Sequence, residues 1–153
     1  MDRKLSLDDL EGFVWGEPKY SSSLVRRCHE LRKVPVGEFS TEDLRILIGQ
    51  QIGLDYIVEL AVEMLERDPF AQGDDYSGDL LCAVLGVDLK FWSTHRDLLR
   101  RIDAVLAVVG ARLASDEGAR DPDAYPLTRH ESELLRSAIH DFARDVRAAT
   151  RDA

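Results

Sequence analysis

Side chains able to do chemistry are abundant in this chain, but only the carboxylates are arranged in a way that points anywhere. The four histidines, His29, His95, His130 and His140, are scattered, none belongs to an HExxH pair, and the acids beside them, Glu30 and Glu131, are explained by a helix surface and a helix cap. Cys28 and Cys82 lack CxxC spacing and read as small apolar core residues in a reducing compartment. There is no GxSxG, no cysteine with a partner histidine, and no phosphate-cradling glycine loop, since Gly49 and Gly53 fall within or between helices. Asp68, Gly73 and Asp79 occupy places one, six and twelve of an EF-hand loop, yet places three and five are Phe70 and Gln72 and the last is Asp rather than Glu. The match fails where ligands are needed, so no metal and no cofactor are expected. Nor does the sequence show the apolar pocket that would tune one carboxylate for acid-base work, and an enzyme is the poorer reading.

The acids carry information through their position. The chain has 29 acids against 20 bases, a net charge of −9, and the stretch Phe39–Asp79 alone holds ten of those acids with two bases, Arg45 and Arg67. On a helix expected from Leu54 to about Arg67, a turn of about 100° per residue puts Asp55, Glu59, Glu63 and Glu66 on one narrow strip. Ile57, Val58, Leu60, Ala61, Val62, Met64 and Leu65 fill the rest. Asp68, Asp74, Asp75 and Asp79 follow directly in a loop marked by Pro69, Gly73 and Gly78. Like charges four residues apart weaken a helix by about 0.2–0.5 kcal/mol per pair, so a face chosen for stability alone would alternate signs. The strip is either a solubilising surface or a face for a basic partner. A pI near 4.9 argues against nucleic acid, because phosphate binding takes clustered Lys and Arg.

The elements that must position these acids read as helices throughout. Ser6 with Asp9, Ser40 with Asp43, Thr94 with Asp97 and Thr128 with Glu131 are capping patterns ahead of apolar stripes. Helices are expected near 24–33, 41–52, 54–67, 79–85, 95–114 and 129–147, with a short helical turn at Leu7–Glu11. The segment GFVWGEP is expected to be an irregular plug of Phe13, Val14 and Trp15, with Trp15 anchoring the N-terminal arm of residues 1–20. Phe91 and Trp92 are placed on a connecting turn, Gly110 hints at a close helix crossing, and residues 115–127 form a polar surface connection. In the GQQIGL turn, Gln50 and Gln51 are expected to satisfy backbone groups, with Gly53 permitting the bend. No stretch alternates long enough to be a strand. The expected fold is all-α, a single-domain helical bundle of about six helices over residues 1–153. No apolar run approaches the roughly 20 residues of a membrane span, and MDRKLSLDDLEGF has no signal-peptide core, so a cytoplasmic protein is expected.

Several motifs carry a resemblance. LRILIGQQIGL at Leu44–Leu54, DPF at Asp68–Phe70 and GDDYSGDLL at Gly73–Leu81, preceded by WGEP at Trp15–Pro18 and CHELRKVPV at Cys28–Val36, make the chain similar to the immunity proteins of bacterial contact-dependent growth inhibition (CDI) systems over roughly residues 7–92. Ser77 and Glu59 stand where that pattern is expected to have proline, and neither exchange removes a functional group. The resemblance implies a small helical protein that binds the C-terminal domain of one cognate toxin and blocks its active site or substrate entry. Such toxins are often nucleases, whose surfaces are basic because they hold phosphates. The charge map agrees independently, and together they assign Asp55, Glu59, Glu63, Glu66, Asp68, Asp74, Asp75 and Asp79 to the toxin-facing surface. Two other readings use the same acids, a metal-dependent hydrolase and a helical scaffold or regulatory subunit with an acidic docking face.

Overall fold

Side-chain caps decide where several helices of this chain begin. The structure, a computed structural model, describes residues 1–116 and 127–151. Its helices are α1 (Leu7–Glu11), α2 (Ser23–Leu31), α3 (Thr41–Gly49), α4 (Leu54–Arg67), α5 (Asp79–Leu85), α6 (Leu89–Thr94), α7 (Arg96–Asp116) and α8 (Arg129–Arg151), with a 3-10 turn at Val36–Glu38. Ser6 and Ser40 open α1 and α3 with complete capping boxes, each hydroxyl taking the amide three residues on while Asp9 and Asp43 return the bond. Thr128 and Glu131 do the same ahead of α8. A cap of this kind contributes about 1 kcal/mol.

The fold is all-α, as its hydrophobic periodicity predicts; among the described residues the only β feature is an isolated bridge between Ser6 and Pro35. α1 is the short helical turn expected at Leu7–Glu11, and α6 is the helix that was not expected. Phe91 and Trp92, expected on a turn, are buried on α6, whose first turn Asp88 caps through the Lys90 amide. Thr94, expected to cap the following helix, instead ends α6 with its hydroxyl on the Phe91 carbonyl at 2.9 Å, and α7 starts after His95. A six-residue helix is too short for its apolar period to show against neighbouring loops.

α4 packs against α3, α5 and α7, and the core cluster draws on every helix, from Leu7 of α1 to Leu135 and Phe142 of α8. Ile57, Val58, Ala61, Val62 and Leu65 of α4 are sealed from water. Two glycines let the chain enter helices beside buried leucines. Gly53, at φ 65°, precedes α4, and a Cβ there would stand 2.7 Å from Leu7 Cδ2; Gly78, at φ 87°, precedes α5, with Leu135 Cδ2 equally close. Left-handed backbone and lack of room both demand glycine at these two positions. Gly110 is different: α7 runs through it, and outside its own helix backbone no described residue lies within 4 Å of where its Cβ would be, so the described residues show no close crossing there.

The N-terminal arm is tied down by its backbone and by Arg32. Val36 and Gly37 donate amides to the Leu5 and Arg3 carbonyls, both at 2.9 Å. Arg32 is 1% exposed; its Nε bonds Asp8 at 2.8 Å, its Nη2 bonds Glu11 at 2.5 Å and the Phe13 carbonyl at 3.1 Å, and its guanidinium lies 4.5 Å from the centre of the Trp15 ring. Trp15 therefore does anchor the arm. Phe13 and Val14 do not plug the core; both are exposed. Of the polar connection expected at 115–127, residues 117–126 lie outside the described residues.

Candidate functional site

The acidic strip of α4 exists in space, because burial of the apolar arc leaves only that face toward water. Asp55, Glu59 and Glu66 are exposed and Glu63 is half-buried. Basic side chains from other elements reach them. Arg101 of α7 bonds both carboxylate oxygens of Glu66 at 2.8 Å and stands 3.7 Å from Glu59. Arg3 of the arm closes on both oxygens of Glu63 at 2.6 and 2.8 Å. His95 Nε2 lies 3.7 Å from Asp55. The side-chain bond from Arg101 holds the Glu66 carboxyl below the usual range. The strip, unrelieved along the helix, is thus partly relieved from outside it.

The loop acids are built differently. Asp79, expected on the partner-facing surface, is 3% exposed, and its carboxylate accepts the amides of Gly73 at 2.7 Å, Asp75 at 3.1 Å and Tyr76 at 3.4 Å. It folds the loop rather than facing outward, since a buried carboxylate must be met by donors. Arg45 stands at the loop's base, bonding Glu42 through Nε and Nη2 at 2.7 and 2.6 Å, with Asp75 at 2.9 Å from Nη1. Glu42 also accepts the Asp74 amide at 2.8 Å, and the Arg45 bond holds its carboxyl below the usual range. Asp68 takes the Phe70 amide at 3.1 Å, and the exposed Asp74 carboxylate extends from the loop.

α8 supports the loop from behind. Glu131, besides capping its own helix, accepts the Ser77 amide at 3.2 Å, and Leu135 fills the space against Gly78. The GQQIGL turn is scaffold: Gln51, at φ 57°, donates to the Gly86 carbonyl and accepts from the Asp88 amide, both at 3.2 Å, locking the α3–α4 turn to the α5–α6 turn. Gln50 makes no such bridge and is exposed, so the pair expected there works through one member.

Tyr76 reaches inward. Burial pushes its hydroxyl well above the ordinary phenol range, with the Cys82 thiol adding to the effect, and burial likewise raises the Cys82 thiol. Cys28 is buried and Cys82 half-buried, both as free thiols. Among the described residues, no three His, Cys, Asp or Glu side chains are grouped so as to hold a metal ion. No helix among them is long and apolar enough to cross a membrane.

What this surface offers is carboxylates on a helix face and on a loop braced by α3 and α8. The family model of the CDI immunity proteins matches residues 9–102, a span from α1 into α7 that includes the whole strip and loop. The chain belongs to the CDI immunity proteins. As a member of that family it is an immunity protein, and its partner is a CDI toxin. Neither the curated proteins nor the solved structures gave a match. The strip, the loop and Arg45 lie inside the matched span; α8, which braces the loop, lies beyond it.

The sequence reading missed Arg3, Arg45 and Arg101 as partners of the site acids. Arg45 had a local signal, since Glu42 precedes it by three residues in α3. Arg3 and Arg101 had none, because their partners lie 60 and 35 residues away.

Proposed function

We propose that this immunity protein works as a single helical domain in the cytoplasm, where it neutralises its cognate toxin by laying the α4 strip and the acidic loop over a basic nuclease domain. The observation that carries this reading is the exposed row of Asp55, Glu59 and Glu66 on a helix whose other faces are buried. Glu63 continues the row, and Asp68, Asp74 and Asp75 extend it into the loop. Asp79 serves the surface indirectly, by fixing the loop amides that set where Asp74 and Asp75 stand. Opposed fields of this kind accelerate encounter and exclude partners of the wrong sign. A basic active-site cleft covered by carboxylates is also closed to phosphate, so binding and inhibition are one event. The immunity protein needs no catalysis for this.

Arg3 and Arg101 fit the same reading. Both bridges are at the surface, where an ion pair is worth about 0–1 kcal/mol, so a toxin arginine or lysine displaces them at small cost. The test is co-expression with the C-terminal domain of its cognate toxin. Survival of the host and co-purification of a stable complex are expected. Glu59→Lys combined with Glu63→Lys should then slow association about tenfold at low salt and much less at high salt. Rescue that persists with an unchanged association rate removes the strip from the interface.

A further inference from the structure

Phe13 and Val14 stand in water on a main chain that is held still. Their exposures are 64% and 66%, and four of the seven exposed large hydrophobic residues among the described ones fall between Phe13 and Leu24. A single exposed apolar side chain is ordinary on any surface. This adjacent pair differs in how it is mounted. The Phe13 amide donates to the Asp8 carbonyl at 3.2 Å and its carbonyl accepts from the buried Arg32, while Trp15, just after the pair, packs against Arg32 and against the His29 ring, whose centre is 4.9 Å away. The arm has thus already lost the freedom that binding would otherwise cost, which is the condition under which an apolar side chain contributes fully to affinity.

The same Arg32 links the main chain of the pair to the edge of a groove. The Arg32 Nη2 that holds the Phe13 carbonyl also bonds Glu11, and Glu11 lines an open groove of about 490 Å³ with Leu54, Asp55, Tyr56, Asp88 and Phe91. Leu54 and Phe91 give it apolar walls, Asp55 and Asp88 are exposed, and Lys90 is the only cation among its lining residues. Asp55 is also the first acid of the α4 strip, so the groove continues the surface assigned to the toxin. We propose that Phe13 and Val14 are the apolar anchor of the toxin interface, and that this groove receives a lysine or arginine side chain of the toxin, stem against Leu54 and Phe91 and head toward Asp55 and Asp88. This rests on the reading above that the partner is basic and meets the α4 face. Long basic side chains bury their stems on apolar walls while the charge stays at the carboxylates, and buried aromatic anchors ringed by polar groups dominate interface energies.

The experiment compares binding kinetics of the catalytically inactivated toxin domain to wild type, Phe13→Ser, Phe13→Ser with Val14→Ser, Asp55→Ser, and Glu59→Lys. Because both anchor side chains are exposed, the serine variants should melt with wild type. They should bind about 100-fold more weakly, through faster dissociation, whereas Asp55→Ser should slow association in a salt-dependent way. Serine variants that bind like wild type, alongside a weakened Glu59→Lys, overturn the anchor and leave the strip reading standing. Self-association of the wild type that the serine variants abolish without touching toxin binding gives the patch to a second copy and overturns the proposal. A wild-type chain that does not bind the toxin domain ends both readings.

Discussion

The α4 strip and the loop after it each supply four of the acids assigned to the partner, yet the fold treats the two sets in opposite ways. On the strip, the carboxylates lie on an outer helix face and meet Arg3 and Arg101 at the surface. In the loop, Asp79 is enclosed by three amides, while Asp75 closes on Arg45, which Glu42 holds from α3. Sequence gives the two regions the same number of acids. What separates them is whether the acid has backbone donors to satisfy: a loop rich in glycine and turns leaves amides without helix partners, and carboxylates are drawn in to meet them. Charge in the strip is therefore met only by side chains at the surface, whereas in the loop Asp79 and Asp75 also hold the loop's shape.

The sharpest way to break this contrast is to remove the enclosed carboxylate. Asp79→Ala leaves the Gly73, Asp75 and Tyr76 amides unmet in a closed site, and the expected loss is about 3 kcal/mol in urea unfolding, seen as a lower midpoint at constant slope. Asp79→Asn keeps one acceptor oxygen and should lose less. A change under about 0.5 kcal/mol in the alanine variant would place Asp79 with the ordinary surface acids. Arg45→Met comes next. Its side chain is about one quarter exposed, so solvent screening discounts the ion pairs, and a loss of about 1–2 kcal/mol is expected. Hydrogen exchange at Gly73 and Asp75 should quicken in the same variant, since their acceptor Asp79 loses a neighbouring cation 3.7 Å away.

Acid should act on the same pair. Arg45's bond to Glu42 holds that carboxyl below its ordinary value of 4.5, so the unfolded chain takes up this proton first as pH falls. Stability from the pair is complete above that value and is lost as pH drops through it toward the folded one. The stability gap between wild type and Arg45→Met is expected to be constant from neutral pH down to about 5 and to narrow below 4.5. A gap that stays constant to pH 3 would mean that Arg45 acts through its stem and not through Glu42.

Much of this arrangement is legible in the sequence. Capping boxes at Ser6, Ser40 and Thr128 work because they use residues three apart, and the burial of α4 follows from a period that its own residues display. Chemistry that depends on distant pairs was not readable. Nothing near Glu63 or Glu66 announces Arg3 or Arg101, and nothing near Asp79 says that the amides of its loop turn back onto it. Phe13 and Val14 failed for another reason. A hydrophobic residue in an irregular segment is assumed to be buried, and here the buried member of the segment's surroundings is Arg32, with its charge met by Asp8 and Glu11.

The smallest expected effect sharpens the contrast most, because it separates stability from binding. Glu66 and Arg101 form a bidentate pair, but Glu66 is 40% exposed and Arg101 32%, so water screens both ends. A double-mutant cycle with Glu66→Gln and Arg101→Gln should return a coupling of about 0.2–1 kcal/mol in low salt, falling toward zero in 1 M salt, where the screening length is about 3 Å. The same single changes should act oppositely on the toxin. Glu66→Gln removes a carboxylate from the strip and should slow association, whereas Arg101→Gln frees Glu66 and Glu59 from their cation and should speed it. Opposite signs on association with near-equal, small losses in stability are the mark of a surface whose internal bridges compete with its partner. Equal signs would mean that Arg101 is part of the binding surface in its own right, and the strip would then be a mixed-charge face like any other.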